Sequence, residues 1–264
     1  MSSTQRTPAT SALGPVSVVE SLAGVLRRHI LSGQLADGDL LPKQDELLAR
    51  YDVGRTTLRQ ALRILENEGL VTVRRGRVGG AVVHVPEAAD AARTIGLVLQ
   101  SRAVPLDDLG MARRRLEPVC AALCAEREDR ATTVVPHLEA ALDGAEAESG
   151  DPAAFLRGNT RFHEAIVANC GNETMRVLLG SIESLWSAQE PDWTEDSAFA
   201  AGHEDRLAAV RGHRAIVRCI AEGDDAGAYY LTSRHLEAAQ AYAVKVAGDR
   251  PVQILDPVHG HPRI

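Results

Sequence analysis

Between Val18 and Leu31 the apolar positions Val18, Leu22, Val25, Leu26 and Ile30 recur every three or four residues, and Gly33 follows. That spacing lines one face of a helix, and the glycine supplies its stop. Asp37-Gly38-Asp39 and Leu41-Pro42 predict a loop. Lys43 to Tyr51 predicts a short second helix with Leu47 and Leu48 inward, and Asp52-Val53-Gly54 leaves room only for a tight turn. A third helix is expected from about Arg55 to Glu68, with Leu58, Leu62 and Leu65 along one side, cations at its start and Gly69 at its end. The period then changes to two. Leu70 to Val73 and Ala81 to Val85 flank a Gly- and Arg-rich turn, the pattern of a hairpin. Two helices across a short turn, the second cationic at its start, make a helix-turn-helix, and the hairpin adds a wing.

From Asp90 onward the pattern is helix after helix, near 90–101, 105–130, 132–149, 152–169, 172–189, 200–222 and 225–247. The breaks fall at Val104-Pro105, Gly150-Asp151-Pro152, Gly171, Glu190-Pro191 and Gly223-Asp224, with Asp151 and Asp224 as N-caps. No strand-like run competes, and no repeat is evident. The expected fold is mainly α: a winged helix-turn-helix with a small β-hairpin, then an antiparallel all-α bundle of six or seven helices. The expected parts are a disordered tail over 1–17, the winged unit over 18–86, the bundle over 90–248 and a C-terminal tail over 249–264.

Composition agrees with a globular chain, at 45% hydrophobic and 25% charged residues. Aromatics are only 3%, so Leu, Val, Ala and Ile must build the core. Charge changes the picture more. The net charge is −7, but Val18 to Pro86 holds 10 Lys/Arg against 8 Asp/Glu, and Asp90 to Arg250 holds 17 against 26. A slightly cationic head on an acidic body suits a local contact with a polyanion. Residues 1–17 lack the apolar core of a signal peptide, and no apolar run approaches a membrane span, so a cytoplasmic protein with no membrane partner is expected. The four cysteines lack CxxC spacing. Buried, reduced thiols are expected, with Cys120 and Cys124 on one helical face as the alternative redox pair.

Three groups of residues can carry chemistry. The first residues of the second helix in a helix-turn-helix face base edges, which selects Arg55, Thr56, Thr57 and Arg59. Arginine suits guanine, and threonine hydroxyls with free first-turn N–H groups suit phosphate. Arg75 and Arg77 on the wing extend the contact to the backbone or the minor groove. Second, Asn159 and His163 stand one helical turn apart, and His213 and His235 fall on two further helices. Side chains of this kind can converge inside a bundle on a divalent ion of the Zn, Ni or Mn type. Taken singly, each histidine reads first as a surface or satisfied core residue. Third, Arg113 and Glu117 are four apart, which is also the spacing of an exposed helical ion pair.

The run Ile30-x-x-Gly33-x-Leu35-x-x-Gly38-x-x-Leu41-Pro42, followed by Val53-x-Arg55-x-Thr57-Leu58-Arg59-x-Ala61-Leu62-x-x-Leu65, Gly69-Leu70-Val71 and Gly79-Gly80-x-x-Val83, resembles the winged-helix head of GntR-type bacterial transcription regulators. Asn159-x-x-x-His163, His213-x-x-Ile216-x-x-x-Ile220-x-x-Gly223-Asp224 and His235-Leu236 resemble the FCD effector-binding bundle of the FadR-type branch. The resemblance implies a ligand-responsive regulator, with a metal held by Asn159, His163, His213 and His235. It places Arg113 and Glu117 in the pocket, where a guanidinium can grip a small carboxylate effector. A homodimer reading a pseudo-palindromic double-stranded DNA operator follows. A small acid fits better than a bulky acyl-CoA, because the metal-type histidines are present. Two positions depart from the pattern. Asn159 stands where Asp is common, so the site carries less negative charge. Lys43-Gln44-Asp45 replaces Ser-Glu-Arg after Leu-Pro, so Asp45 sits where an arginine often touches phosphate and Lys43 compensates. The rival is a metal-dependent hydrolase of the helical-bundle type with a DNA-binding accessory head. It lacks a general base, a nucleophile motif and a phosphate loop in the helical part, so no enzyme is expected.

Overall fold

The computed structural model describes residues 17–74, 76, 80–147, 151–189, 202–247 and 249–254. The chain divides into two compact units, 1–86 and 87–264.

The first unit contains α1 (Val18–Leu31), α2 (Gln44–Tyr51), α3 (Arg55–Asn67), β1 (Val71–Arg74) and β2 (Gly80–Val83). The Ser17 hydroxyl caps α1 by accepting from the Val19 N–H at 3.2 Å. Helix α2 stops at Asp52, whose φ of 48° is left-handed and reverses the chain into α3. Helix α3 starts at Gly54 with no side-chain cap, so its first-turn N–H groups are open to an outside acceptor. Leu22, Leu26 and Ile30 of α1 share a buried core with Leu58, Ala61 and Leu65 of α3 and with Leu47. Four expected inward residues differ: Val25, Leu48 and Leu62 are only part-buried, and Val18 is exposed at the outer end of α1.

The wing is antiparallel, with Val71 opposite Val83 and Arg74 opposite Gly80. Leu40 adds a single bridge to Val82, so the loop before α2 lies along the sheet edge. Glu68, just past α3, accepts from Arg27 Nε at 2.8 Å and ties the two long helices together. The wing arginines Arg75 and Arg77 lie outside the described residues, as do residues 1–16 of the expected tail.

The second unit contains α4 (Ala88–Ser101), α5 (Leu106–Glu126), a π-helical turn (Arg130–Val134), α6 (Val135–Ala147), α7 (Pro152–Ala168), α8 (Glu173–Gln189), α9 (His203–Glu222) and α10 (Asp225–Ala247). Helix α5 is central and packs against α7, α8, α9 and α10, while α6 lies on α7 and α4 on α8. The expected caps are in place: Asp151 accepts from the Ala153 N–H at 2.9 Å, and Asp224 from the Gly227 N–H at 2.8 Å. The main core gathers Cys120, Cys124, Leu138, Phe162, Ile166, Leu179, Ile216 and Ile220. All four cysteines are free; the Cys124 thiol donates to the Ile166 carbonyl at 3.3 Å and the Cys170 thiol to that of Asn172 at 3.6 Å.

Two expectations for this unit change. The helix placed over 105–130 ends at Glu126, because Arg127 is extended at ψ 134°. Its side chain turns back to Asp129 and to the Asn169 carbonyl, and the chain re-enters helix through the π turn. The region expected as a C-terminal tail is packed where it is described. Leu106 N–H donates to the Arg250 carbonyl at 2.8 Å and Val252 N–H to the Val104 carbonyl at 2.9 Å. Val252 is fully buried with Leu106, Leu109, Leu185 and Trp186 in a second, smaller core. Gln189 holds Gln253 through two bonds, of 2.8 and 3.1 Å. Residues 255–264 lie outside the described residues.

Candidate metal centre and nucleic-acid interface

Three helices of the second unit each bring one imidazole to the same place: α7 His163, α9 His213 and α10 His235. Their ligand-capable atoms all lie within 4.8 Å of one another. The Nε2 atoms of His213 and His235 are 3.0 Å apart. Phe162 stacks on the His213 ring, with centroids 4.0 Å apart and an interplanar angle of 24°. Asn159 is half-buried on α7, one turn before His163.

Hydrogen bonding sets the chemistry. His163 Nδ1 is 2.5 Å from Glu117 Oε1. Burial, followed by the nearby Arg113 charge, pushes the His163 pKa down to about 3, so this contact joins a neutral imidazole to the carboxyl group and is no ion pair. An imidazole that donates from Nδ1 keeps its lone pair on Nε2. That Nε2 is buried with no hydrogen-bond partner, and so is His213 Nδ1. Burial also depresses His235 to about 3 and His213 well below its ordinary value, helped by the neighbouring histidines. A neutral imidazole with an unpartnered lone pair, oriented by a carboxyl group behind it and standing within 4.8 Å of two further imidazoles, has the makings of a donor set for a divalent metal ion. The residues present therefore fit such an ion.

Behind the histidines lies a charged layer. Arg113 and Glu117 are both buried, unlike an exposed helical pair. Arg113 Nε reaches Glu183 Oε1 at 2.7 Å and Oε2 at 2.9 Å, and Nη2 lies 3.4 Å from Glu117 Oε2. The Trp186 ring is 5.5 Å from the guanidinium carbon. Burial raises both Glu117 and Glu183 to about 7, against the pull of Arg113. Glu183 is absent from the sequence-based set. Its signal was present: a glutamate in Leu179-Gly180-Ser181-Ile182-Glu183-Ser184-Leu185-Trp186, on the same helical face as Leu179 and Trp186. Thr232, three residues before His235, was also missed, and its fully buried hydroxyl has no hydrogen-bond partner. Two of the other histidines are engaged elsewhere: His84 with the Thr72 hydroxyl at 2.8 Å and His137 with Asn169 at 2.9 Å. The His203 side chain lies outside the described residues.

On the first unit, Arg55, Thr56 and Arg59 are exposed and Thr57 is half-buried, all at the start of α3. Lys43 is exposed at the start of α2. Arg55 Nη2 lies 3.8 Å from Asp45 Oδ1, with both side chains open to solvent. Such a pair contributes roughly 0–1 kcal/mol and yields readily to a phosphate or base.

A winged helix-turn-helix with an open, cationic helix start, on the same chain as an all-helical unit with a buried histidine centre, defines a transcription regulator. Comparison with known proteins gives the same class. Residues 19–82 match the bacterial regulatory proteins of the gntR family, and residues 108–238 match the FCD domain. The chain is 28% identical over 231 residues to the Uxu operon transcriptional regulator of Escherichia coli K12, covering 87% of this chain and 86% of that protein. It is 29% identical to the galactonate operon transcriptional repressor of the same organism, covering 66% of this chain and 76% of that protein. The solved structure of Streptococcus agalactiae GntR superposes with a TM-score of 0.65 at 27% identity, covering 84% of this chain and 99% of that one. The protein belongs to the GntR family of bacterial transcription regulators that carry an FCD domain. Among the described residues no helix is long and apolar enough to cross a membrane.

Proposed function

We propose that the protein is a cytoplasmic, metal-dependent repressor whose hold on its operator is set by a small carboxylate. The observation that carries this reading is the convergence of His163, His213 and His235, with the His163 lone pair buried and unpartnered. Those histidines hold a divalent ion, and Asn159 supplies an oxygen. The ion provides a Lewis-acidic position for the effector carboxylate. The Arg113 guanidinium lies behind it and already serves Glu183, so the effector shares that cation or displaces Glu183. One relative represses a galactonate operon, and galactonate is a hydroxylated carboxylate. Homodimers place two α3 helices on a pseudo-palindrome. Arg55 and Arg59 read bases, Thr56, Thr57 and Lys43 reach phosphate, and Arg75 and Arg77 add wing contacts. The effector shifts operator affinity by the difference in its affinity for the DNA-bound and free states.

The test is metal analysis of the purified protein, then a thermal-shift screen of sugar acids and other small carboxylates, then operator binding with each hit. About one ion per chain and an acid that weakens operator binding are expected. A metal-free protein whose operator affinity no carboxylate changes refutes the reading.

A further inference from the structure

Glycine in a helix interior is unfavourable relative to alanine, because it gives up more backbone freedom and buries nothing. Gly212 is such a residue. It lies in the interior of α9, a helix of 20 residues, and no left-handed backbone requires it. What it does show is a close neighbour. A Cβ at position 212 would stand 3.1 Å from His235 Nδ1 and 3.9 Å from both Cγ and Cε1 of that ring. Comfortable contacts between such atoms are about 3.5–4.0 Å. The His235 imidazole therefore lies against the backbone of α9 at the one residue before His213. Gly24 of α1 makes the contrast, since its added Cβ would meet only two arginine side-chain ends, at 3.7 and 3.8 Å.

The ring has little room to retreat. The His213 ring centroid is 4.4 Å from it, and the His163 centroid 5.3 Å. The absent side chain at 212 thus fixes how near α10 brings its imidazole to the other two.

We propose that Gly212 is a positioning residue of the three-histidine centre, whose missing side chain lets the His235 ring lie against α9 and bring its Nε2 to 3.0 Å from that of His213. This rests on the metal-binding reading above. Metal–ligand distances tolerate only about ±0.2 Å. A methyl group at 212 moves or turns the ring by at least that much, so one of three nitrogens leaves its place. The same methyl improves helix propensity. The two effects have opposite signs: the metal-free fold keeps or gains stability while the ion is lost.

The experiment uses the full chain as wild type, Gly212→Ala, His235→Ala and the double variant. Each is melted without metal and titrated with cobalt(II), whose visible bands report ligand number and geometry. Gly212→Ala should melt at or above the wild-type temperature, bind cobalt at least about tenfold more weakly and show altered bands. The double variant should bind cobalt as His235→Ala does, because the methyl acts only through that ring. If Gly212→Ala instead melts early, removing the His235 ring should restore the melting temperature; failure to restore it overturns the proposal. Wild-type affinity and bands in Gly212→Ala, or further weakening in the double variant, also overturn it. A wild type that binds no cobalt removes the metal reading itself, a different result from an unaffected Gly212→Ala.

Discussion

Arg113 Nε spans the carboxylate of Glu183, at 2.7 and 2.9 Å, between two helices and away from solvent. The pair is one unit, because neither charge has water to fall back on. Arg113→Ala leaves Glu183 and Glu117 buried without their cation, and should lower unfolding free energy by about 3–5 kcal/mol in urea denaturation. Adding Glu183→Gln should return part of that loss, since a buried carboxyl that must then take up a proton is replaced by a neutral amide. Strict additivity of the two changes would mean that the residues do not act together.

Asn159 faces the same way as His163 but brings no charge. Asn159→Asp should tighten divalent metal by about tenfold, roughly 1.4 kcal/mol, measured by competition with a chelating dye. Weaker or unchanged affinity would show that residue 159 is outside the coordination shell.

Asp45 lies 3.8 Å from Arg55 at the edge of the surface proposed for DNA. Asp45→Asn removes a charge that repels phosphate and releases Arg55. Operator affinity should rise several-fold, with a similar gain on non-operator DNA, because electrostatic contact is indifferent to sequence. Fluorescence anisotropy on both duplexes measures the two gains. A loss of operator affinity would instead make the Asp45–Arg55 contact a device that aims the arginine.

Arg127 donates to both oxygens of Asp129, at 2.8 and 2.7 Å, and holds that carboxyl at about 2, below its ordinary 3.8. A folded-state value below the unfolded one adds stability above pH 3.8 and loses it as pH falls through 2. Carbon-detected NMR titration should find Asp129 near 2 in the wild type and near its ordinary value in Arg127→Gln. An unmoved midpoint in the variant would assign the shift to another partner.

The winged unit was legible because its signals are local. Apolar spacing, Gly69 and the β-branched runs each act within a few residues, and α3 fills the span they mark out. The three histidines were singled out only through the family resemblance, since each alone reads as a surface or core residue, and the structure brings them together. Glu183 offered only its place on a helical face, and the packing of α8 onto α5 is what shows its carboxyl meeting Arg113, 70 residues earlier. The end of α5 was misplaced for the opposite cause. Helix-forming residues continue past Glu126, but Arg127 finds better partners off the helix, in Asp129 and the Asn169 carbonyl. The return of 250–254 onto α4 and α5 had no local sign at all, since short apolar pieces after a long helix look like a tail.

That return sets an order of events during synthesis. Everything the winged core needs has been made once residue 86 is added, so this unit can fold while the bundle is still being translated. The bundle must wait. Its smaller core lacks Val252, and Gln189 lacks Gln253, until the chain has grown past both. Until then Trp186 and Leu185 stay uncovered on one side, so a ribosome that stalls late in the message holds a nascent chain able to reach DNA before its helical unit has closed.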